Sequence, residues 1–460
     1  MINSSEAMHL SDYKIFCVQD SKYVYYIENN KIFKIDNKTE KLLGQDGKSY
    51  KEIYDNLQSI YTQEELDTTI KAMKEHDFII DNIDIINNEQ GDVAHNFPDM
   101  MMVTLLIVQE CNLRCSYCFG ENGEYNDRGV MDIETAKKAI DFFVKNSKND
   151  TLTICFFGGE PLMRFDLIKE IVAYCEQKKI ATSKNFKFTM TTNATLLNEE
   201  IEQFIIKHDM NVLISIDGDK ETHDYNRYFK GKVGCHDIVL AKTQSLRNKN
   251  LLTARATVTG KQLDINSIYN YLDSLNFKKI ILSPAFNLLS DEEYDKAADG
   301  YIAMYKELEE LIKKKAYEEI YKNKIFITGL KKIHNSNRRS IACGVGRNTC
   351  TVDIHGNIYP CQRFVNNKEF VMGNIDKGFN NRSDFLNNIT LEHRQKCSKC
   401  WARNLCIGGC IHTNYTSTGD INLPSDQFCN FTRKIWKELI KIYLRMSKED
   451  INILLEGKEK

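Results

Sequence analysis

The sequence has little proline, no long apolar run and no excess of positive charge. Hydrophobic residues make up 42% of the 460 residues and charged residues 27%, so we expect packed globular domains rather than disorder. The formal net charge of −2 argues against a general nucleic-acid binder. No apolar stretch approaches the length of a membrane span, and the segment 1–14 lacks the basic and apolar regions of an export signal. We therefore expect a soluble cytoplasmic protein without nucleic-acid or membrane partners.

Cysteine, in contrast, is abundant, with 15 residues. A disulfide framework is typical of small secreted domains, whereas clustered cysteines in a reducing compartment more often hold metal or do redox chemistry. Eleven of the 15 cysteines fall in two groups, Cys111 to Cys118 and Cys343 to Cys429. The remaining four are scattered, and we interpret them as buried, inert thiols. They are Cys17, Cys155, Cys175 and Cys235.

The length favours two or three compact units, and the first is expected over residues 1–90. Three short runs rich in Ile, Val, Tyr and Phe predict three strands between residues 14 and 36. Helical patterns follow over Tyr50–Ile60 and Gln63–His76, the second opening with a Thr62 capping box. The polar stretch 87–98 is typical of a linker.

The second unit is expected over residues 98–330, where apolar runs alternate with amphipathic segments. Such alternation predicts an α/β fold with a parallel sheet, in the form of a partial, TIM-like (β/α)6 barrel. Chemistry in these sheets lies at the carboxyl ends of the strands. The expected strands are 102–108, 152–157, 186–190, 211–216, 252–258 and 279–283, with helices such as Ile133–Lys145 and Leu167–Gln177 between them. A loop-rich unit is expected over 335–430, and a tail over 431–460 that contains the helix Phe431–Arg445.

The first cysteine group directly follows the first expected strand, as Cys111-Asn-Leu-Arg-Cys115-Ser-Tyr-Cys118. Three thiolates on one short loop can ligate three irons of a four-iron cluster and leave the fourth iron without a protein ligand. An open coordination position is typical of a catalytic metal site. A zinc loop with a remote fourth ligand is the alternative that the spacing leaves open.

This motif resembles that of the radical S-adenosylmethionine (radical SAM) superfamily. The resemblance implies that the open iron chelates the amino and carboxylate groups of S-adenosylmethionine. One-electron reduction then yields a 5′-deoxyadenosyl radical, and Cys111, Cys115 and Cys118 are the catalytic ligands. It further implies an external electron donor of the flavodoxin or ferredoxin type.

Further motifs follow the next strands and resemble the cofactor-binding positions of the same family. The stretch Phe157-Gly-Gly-Glu-Pro161 suits a close backbone approach, with Glu160 placed to accept from the ammonium group. Capping or turn roles for Asn193, Ser215 and Asp217 stay open. The resemblance implies these cofactor contacts: Gly158, Gly159, Glu160, Asn193, Ser215, Asp217 and Arg227.

The second cysteine group resembles the SPASM extension of radical SAM enzymes, which carries two auxiliary four-iron clusters. The resemblance assigns one cluster to Cys343, Cys350, Cys361 and Cys410, and the other to Cys397, Cys400, Cys406 and Cys429. Cys350 is the least secure ligand, because some relatives lack it and leave an iron open to a substrate thiolate. A double zinc module is the alternative that the cysteine count permits.

The N-terminal unit resembles the winged-helix element with which peptide maturases bind a leader peptide by adding it as a strand to a sheet edge. Residues 1–95 carry 10 Lys, no Arg and 18 Asp or Glu, a net charge of −8, which is the wrong sign for DNA. A leader with some basic residues is therefore the better partner. A structural cap without a ligand is the alternative.

Over most of its length the chain is similar to maturases that form thioether links in cysteine-rich ribosomal peptides, the sactipeptide and ranthipeptide enzymes. Gln362 departs from sulfatase maturases, which carry an aspartate base at that position, so formylglycine formation is disfavoured. We expect thioether formation in a cysteine-rich precursor with a leader. The alternatives are a carbon–carbon link, epimerisation, formylglycine-type oxidation and a zinc-rich binding protein without catalysis.

Overall fold

The computed structural model describes residues 7–80, 100–335 and 340–457. The expected linker 87–98 lies outside these ranges. In the N-terminal unit, Tyr13–Val18, Ser21–Tyr26 and Lys31–Ile35 form the expected antiparallel three-stranded sheet in sequential order. A second sheet and three helices complete the unit: strands Ala7–Leu10, Lys48–Ser49 and Ile79–Ile80, and helices Asn37–Leu43, Tyr50–Leu57 and Gln63–Glu75.

Local sequence fixes where these helices begin. Ser49 and Thr62 each accept a hydrogen bond from the backbone of the residue three positions on, and the glutamate there bonds back to the cap. Reciprocal bonds of this kind satisfy backbone N–H groups that the helix leaves free. The prediction at Thr62 is confirmed, and the box at Ser49 is an additional one.

The central unit is a six-stranded parallel sheet whose strands lie side by side in chain order. The first and sixth strands do not pair with each other, so the barrel is partial, as expected. The strands are Met102–Val108, Thr151–Gly158, Asn185–Thr192, Asn211–Ser215, Leu252–Val258 and Lys279–Pro284. The helices between and after them are Ile133–Lys145, Phe165–Thr182, Glu199–Lys207, Lys220–Asn226, His236–Asn248, Ile265–Ser274, Asp291–Lys313, Tyr317–Tyr321 and Lys324–His334.

The two faces of this sheet differ in burial. In Thr151–Gly158 every second residue is buried against the helices, and the residues between them are partly accessible on the inner face. The strands Asn185–Thr192 and Asn211–Ser215 repeat the pattern. A closed barrel of this type fills its interior with side chains. Here the inner face stays accessible, which leaves space at the carboxyl ends of the strands.

The C-terminal unit continues the central sheet. Thr349–Val352 pairs in parallel with the first barrel strand Met102–Val108, and three short antiparallel strands extend the sheet further. Those strands are Asn357–Tyr359, Gly373–Asn374 and Gly378–Phe379. The helices are Arg382–Asn388, Gln395–Ser398, Arg403–Cys406, Ile411–Thr418, Asp426–Arg445 and Lys448–Ile451.

Two sequence-based details need correction. The last long helix begins at Asp426 rather than Phe431, because the Ser425 side chain caps it, and Cys429 therefore lies in its first turn. Of the four scattered cysteines expected to be buried, Cys17 is exposed, because Phe16 and Val18 occupy the buried face of its strand. Cys155 is half-buried, because it lies on the inner face of its strand. None of the helices described is long and apolar enough to cross a membrane.

The N-terminal unit packs against the C-terminal cysteine region. Arg403 reaches Asp12 at 2.9 Å and also pairs with Glu28. The Trp401 ring lies 5.6 Å from that of Phe16, edge to face. Because Trp401 and Arg403 sit between two cysteines of the second group, the N-terminal unit contacts the segment that carries them.

Candidate active site

Cys111, Cys115 and Cys118 lie on a short segment after the first barrel strand. Its backbone is held by a three-residue strand, Leu113–Cys115, which pairs antiparallel with Arg227–Phe229. Burial, with a smaller contribution from the neighbouring Glu160, raises the pKa of the Cys111 thiol to about 12. A thiolate there therefore needs a cation to stabilise it.

The distances between potential ligand atoms bear on the zinc alternatives. Within the three described ranges, only His223, Asp224 and Cys235 bring three ligand atoms within 4.8 Å of one another. Thiolates that bind one zinc ion lie ~2.3 Å from the metal and so about 4 Å apart. No three cysteines of those ranges bring their sulfur atoms within 4.8 Å of one another, so their side chains as they stand do not form a site for a single zinc ion.

Gly158 and Gly159 bring the end of the second strand against the cysteine segment. A Cβ on Gly158 would lie 2.1 Å from the Val108 carbonyl oxygen, and one on Gly159 would lie 2.0 Å from that of Glu110. The Gly159 N–H donates to Val108 and the Glu160 N–H to Glu110, each at 2.8 Å. The glycines thus permit the predicted close approach, and the partner they approach is the backbone just before Cys111.

Glu160 is buried and organises the ends of two strands. Its Oε1 accepts from the Leu162 N–H at 3.0 Å and from the Thr192 hydroxyl at 2.6 Å, and its Oε2 accepts from the Asn193 N–H at 2.7 Å. Burial raises the pKa of the Glu160 carboxyl, while these donors lower it. A carboxylate offers about four lone-pair sites, so one remains for a ligand donor.

Asn193 combines a turn with a contact to the cysteine segment. Its Oδ1 accepts from the Thr195 N–H at 3.0 Å and from the Thr195 hydroxyl at 2.7 Å. Its Nδ2 donates to Asn112 at 2.9 Å and lies 3.9 Å from the Cys111 sulfur. The turn role that the sequence left open is therefore present, and it directs the amide towards the cysteines.

Asp217 and Arg227 meet through Tyr117, a residue that the sequence analysis missed. The Tyr117 hydroxyl donates to Asp217 Oδ2 at 2.6 Å, and Arg227 Nη1 donates to the same hydroxyl at 2.6 Å. The Thr257 N–H donates to Asp217 Oδ1 at 2.9 Å. The position of Tyr117 between two cysteines was the available signal. Arg227 Nε is buried without a hydrogen-bond partner.

Further hydrogen bonds hold the backbone of Asp217 and Arg227 in place. His223 Nδ1 accepts from the Asp217 N–H at 3.3 Å, and its Nε2 lies 3.3 Å from Cys235 Sγ. That sulfur lies 3.5 Å from the Arg227 carbonyl oxygen. Burial holds the pKa of His223 well below its usual range, so the ring is neutral and its Nε2 donates to the sulfur. The grouping of His223, Asp224 and Cys235 is thereby explained without a metal ion.

One cavity collects nearly all the candidate cofactor contacts. Asp217 is the exception, and it reaches the cavity only through Tyr117. The predicted residues that line the cavity are Cys111, Cys115, Cys118, Gly158, Gly159, Glu160, Asn193, Ser215 and Arg227. Donors, acceptors and a guanidinium group thus surround the three thiols, a set suited to an amino-acid cofactor that bridges to a metal.

The C-terminal cysteines form two sets. Burial, with smaller contributions from nearby Cys397, Cys400 and Cys429, raises the pKa of Cys406 to about 12. In the other set, burial, with smaller contributions from Cys410 and Cys343, raises the pKa of Cys361 to about 12. Four soft ligands in each set would suit an iron–sulfur cluster.

Cys350 stands slightly apart from its expected set. It lies in the middle of Thr349–Val352, is fully buried, and its Cα pairs in register with Val103 of the first barrel strand. Burial raises the pKa of its thiol to about 12, and Cys361 is the one cysteine that contributes to this increase. The structure thus places Cys350 beside one member of the expected set.

Comparison with known proteins identifies relatives for most of the chain. The family model of the Radical SAM superfamily matches residues 105–275. An uncharacterized protein of Methanocaldococcus jannaschii is 36% identical over 42% of this chain and 64% of its own length. This chain thus spans slightly less than two thirds of that relative. The cysteine-type anaerobic sulfatase-maturating enzyme of Clostridium novyi is 27% identical over 70% of this chain and 92% of its own. The subtilosin biosynthesis protein AlbA of Bacillus subtilis is 23% identical over 65% of this chain and 62% of its own length.

Solved structures share the fold. The enzyme anSMEcpe, with bound AdoMet and the Cp18Cys peptide, matches with a TM-score of 0.65 at 20% identity, over 76% of this chain and 100% of its own. Streptococcus suis SuiB, bound to the precursor peptide SuiA, matches with a TM-score of 0.51 at 15% identity, over 92% of this chain and 99% of its own.

Proposed function

Because residues 105–275 are a radical SAM domain, which uses a four-iron cluster and S-adenosylmethionine, we propose that this enzyme installs thioether links in a cysteine-rich precursor peptide. One observation carries the proposal: the fold combines a cavity lined by three cysteines, two further groups of neighbouring cysteines, and an N-terminal sheet edge with which no described strand pairs. We assign leader binding to residues 1–90, radical chemistry to 98–330, auxiliary clusters to 335–430 and a closing tail to 431–460. A cytoplasmic location and an external electron donor belong to the same proposal.

The chemistry of a thioether link explains why extra clusters are needed. When bound, the first cluster and S-adenosylmethionine supply a carbon radical that removes a hydrogen atom from the peptide. Closing the sulfur–carbon bond then removes the thiol proton and one electron, so each link makes the peptide two hydrogen atoms lighter. That electron needs an acceptor. The eight cysteines assigned to the auxiliary sets would hold the clusters that accept it.

The residues of the cavity would orient the cofactor. Glu160 has acceptor capacity towards an ammonium group, and the unpaired Nε of Arg227 offers a donor to a carboxylate. Tyr117 and Asp217 fix the position of that guanidinium group. Preorganised groups of this kind lose little entropy when a ligand binds.

The open inner face of the barrel provides the space for the core peptide. Arg255 projects from the fifth strand between the buried residues Ala254 and Ala256, and it is exposed. The Arg363 guanidinium lies 5.3 Å from the centre of the Phe119 ring, and Phe119 is 39% exposed. Aromatic and cationic groups next to the cysteine segment suit a peptide that carries aromatic or acidic side chains.

The leader would bind beside the edge strand Lys31–Ile35. No described strand pairs with its outer edge, and a groove runs between it and the helix Gln63–Glu75. An extended peptide can add to such an edge and place alternate side chains in the groove. The groove is lined mainly by apolar residues: Val24, Phe33, Ile35, Leu43, Ala72, Met73 and Phe78.

Two adjacent threonines on that helix give a matched test of the groove. Thr68 and Thr69 each donate a hydroxyl to the carbonyl four residues earlier at 2.8 Å, but only Thr69 lines the groove. We expect Thr69→Trp to fill the groove and weaken leader binding by about 30-fold, or ~2 kcal/mol. Fluorescence anisotropy with a labelled precursor should show less than a twofold change for Thr68→Trp. Equal effects of the two variants would contradict this placement.

A second prediction concerns the support behind Asp217 and Arg227. Cys235→Ala removes the sulfur that links His223 to the Arg227 carbonyl, so we expect about tenfold weaker binding of S-adenosylmethionine. Cys175→Ala is the control, because this thiol is equally buried but lies on an outer helix. Both variants should lose similar thermal stability, whereas calorimetry on the reconstituted enzymes should show weaker binding for Cys235→Ala alone. Unchanged affinity in both variants would leave Cys235 a purely structural residue.

Mass spectrometry of a co-expressed precursor tests the proposed function. A short cysteine-rich reading frame beside the gene would supply the candidate peptide. We expect a product two hydrogen atoms lighter per link, with the linked thiols resistant to alkylation. An unchanged mass with reduced, reconstituted enzyme would reject the proposal, although epimerisation would also leave the mass unchanged and needs chiral analysis. A carbon–carbon link would give the same mass loss with free thiols.

Formylglycine-type oxidation is the second candidate, favoured by the similarity to the Clostridium novyi sulfatase-maturating enzyme. Gln362 argues against it, because an amide lacks the acid–base capacity of the aspartate that such maturases carry there. A non-catalytic zinc protein would be colourless and free of iron when prepared without oxygen. Incubation with a sulfatase-type peptide therefore tests for formylglycine-type oxidation, and metal analysis tests for a zinc protein.

A further inference from the structure

Arg394 is a fully buried cation with which no Asp or Glu of the described residues pairs. It is 0% exposed and is the largest of the fully buried side chains among the residues described. Its Nη1 donates to the Ile407 carbonyl at 2.6 Å and its Nη2 to the Ile389 carbonyl at 3.3 Å, while its Nε has no hydrogen-bond partner. Neutral carbonyl groups satisfy some of its donors but do not balance its charge.

The surrounding chain is shaped to hold this side chain. Gly408 has a φ of +70°, and a Cβ there would lie 2.2 Å from Arg394 Nη1 and 2.5 Å from its Cδ. Any other residue at position 408 would displace the guanidinium group. Gly408 belongs to the loop from Cys406 to Cys410, which contributes one cysteine to each of the two C-terminal sets.

Arg394 therefore lies between the two cysteine sets. Burial lowers its pKa, and four thiols raise it: Cys397 and Cys406 of one set, then Cys343 and Cys410 of the other. An uncompensated buried charge costs several kcal/mol in a protein interior. The anionic groups closest to hand are the thiolates of both sets, so the charge of Arg394 is balanced when these cysteines hold their clusters.

We propose that Arg394 sets the reduction potentials of both auxiliary clusters by placing one positive charge between them. The inference goes beyond the proposed function but rests on its assignment of clusters to these cysteines. A nearby cation stabilises the more negative, reduced form of a cluster. The Nε–H of Arg394, which has no hydrogen-bond partner among the residues described, would be available as a further donor when the clusters are bound. Arg394 is thus a tuning residue that eases transfer of the leftover electron into either cluster.

A redox titration followed by electron paramagnetic resonance tests this role. Arg394→Met removes the charge and keeps an apolar chain of similar length. The first cluster is removed in parallel by replacing Cys111, Cys115 and Cys118 with alanine, so that only the auxiliary clusters titrate. We expect the ratio of reduced to oxidised cluster at a fixed potential to fall about tenfold for both clusters, which is 59 mV for a one-electron couple.

Arg403 offers a matched control. It is another buried arginine, and in the sequence it lies between Cys400 and Cys406. Its charge is already balanced by Asp12 and Glu28, so Arg403→Met should leave both potentials within about twofold of the parent ratio. Arg394→Lys, which keeps the charge, should restore most of the shift. These three results together would support the tuning role.

The outcomes that would overturn the inference are distinct. Unchanged potentials in Arg394→Met with full iron content would reject it and leave the proposed function standing. If Arg394→Met fails to load iron, Arg394→Gln keeps a donor for the Ile407 carbonyl and isolates the charge, and unchanged potentials there would reject the inference. A parent protein with only the iron of the first cluster would reject both the cluster assignment and this inference.

Discussion

Cys115→Ala is expected to abolish formation of 5′-deoxyadenosine while leaving a folded protein. Cys115 ends the short strand Leu113–Cys115, whose pairing with Arg227–Phe229 uses backbone atoms that alanine retains. The substitution therefore removes one of three thiol ligands without removing the strand. Because three thiolates are the only protein ligands of the proposed cluster, we expect the product to fall by at least about three orders of magnitude.

Chromatography of the nucleoside product and iron analysis would measure this effect. Cys175→Ala serves as the control, since it removes a fully buried thiol that lies outside the cavity and should retain parent activity. Circular dichroism would show that both variants fold. Substantial 5′-deoxyadenosine from Cys115→Ala would show that the cofactor is cleaved elsewhere.

Glu160→Gln is expected to produce the second largest effect. The carboxylate accepts from Leu162, Thr192 and Asn193, and an amide must turn its NH2 group towards one of these donors. The change also removes the negative charge that would face the ammonium group of the cofactor. Together these losses correspond to about 2–3 kcal/mol, or about 30- to 150-fold weaker binding of S-adenosylmethionine.

The control for this variant is Glu309→Gln. Glu309 is also buried, but its carboxylate pairs with Arg445 far from the cysteine segment. Equilibrium dialysis with labelled cofactor should therefore show loss of affinity for Glu160→Gln alone. If both variants bind as the parent does, Glu160 only supports the ends of its strands.

Much of the fold could be predicted from the sequence, because the patterns that specify it are local. All six barrel strands lie where the apolar runs placed them, since β-branched and aromatic residues favour a half-buried strand. The helix Ile133–Lys145 also has the expected bounds, because Asp132 caps its start.

The remaining features depend on contacts between distant parts of the chain. Thr349–Val352 joins the first barrel strand, and no local pattern specifies that partner. Tyr117 meets Asp217 because the cysteine segment folds over the fourth strand end. Arg394 follows a histidine in a polar stretch that reads as exposed, and only packing around Gly408 buries it. The cysteines were predictable as a motif, whereas the groups that support them required the structure.

The measurement that tests the central claim most directly is the resonance spectrum of the reduced first cluster, recorded with and without S-adenosylmethionine. To isolate it, two cysteines of each auxiliary set are replaced in a second preparation, Cys397 and Cys406 in one set and Cys361 and Cys410 in the other, because three remaining thiolates could still hold a cluster. A signal whose shape changes when the cofactor is added would show that the cofactor binds the iron that Cys111, Cys115 and Cys118 leave open. A fully loaded, reduced cluster whose spectrum stays the same at saturating cofactor would contradict the account.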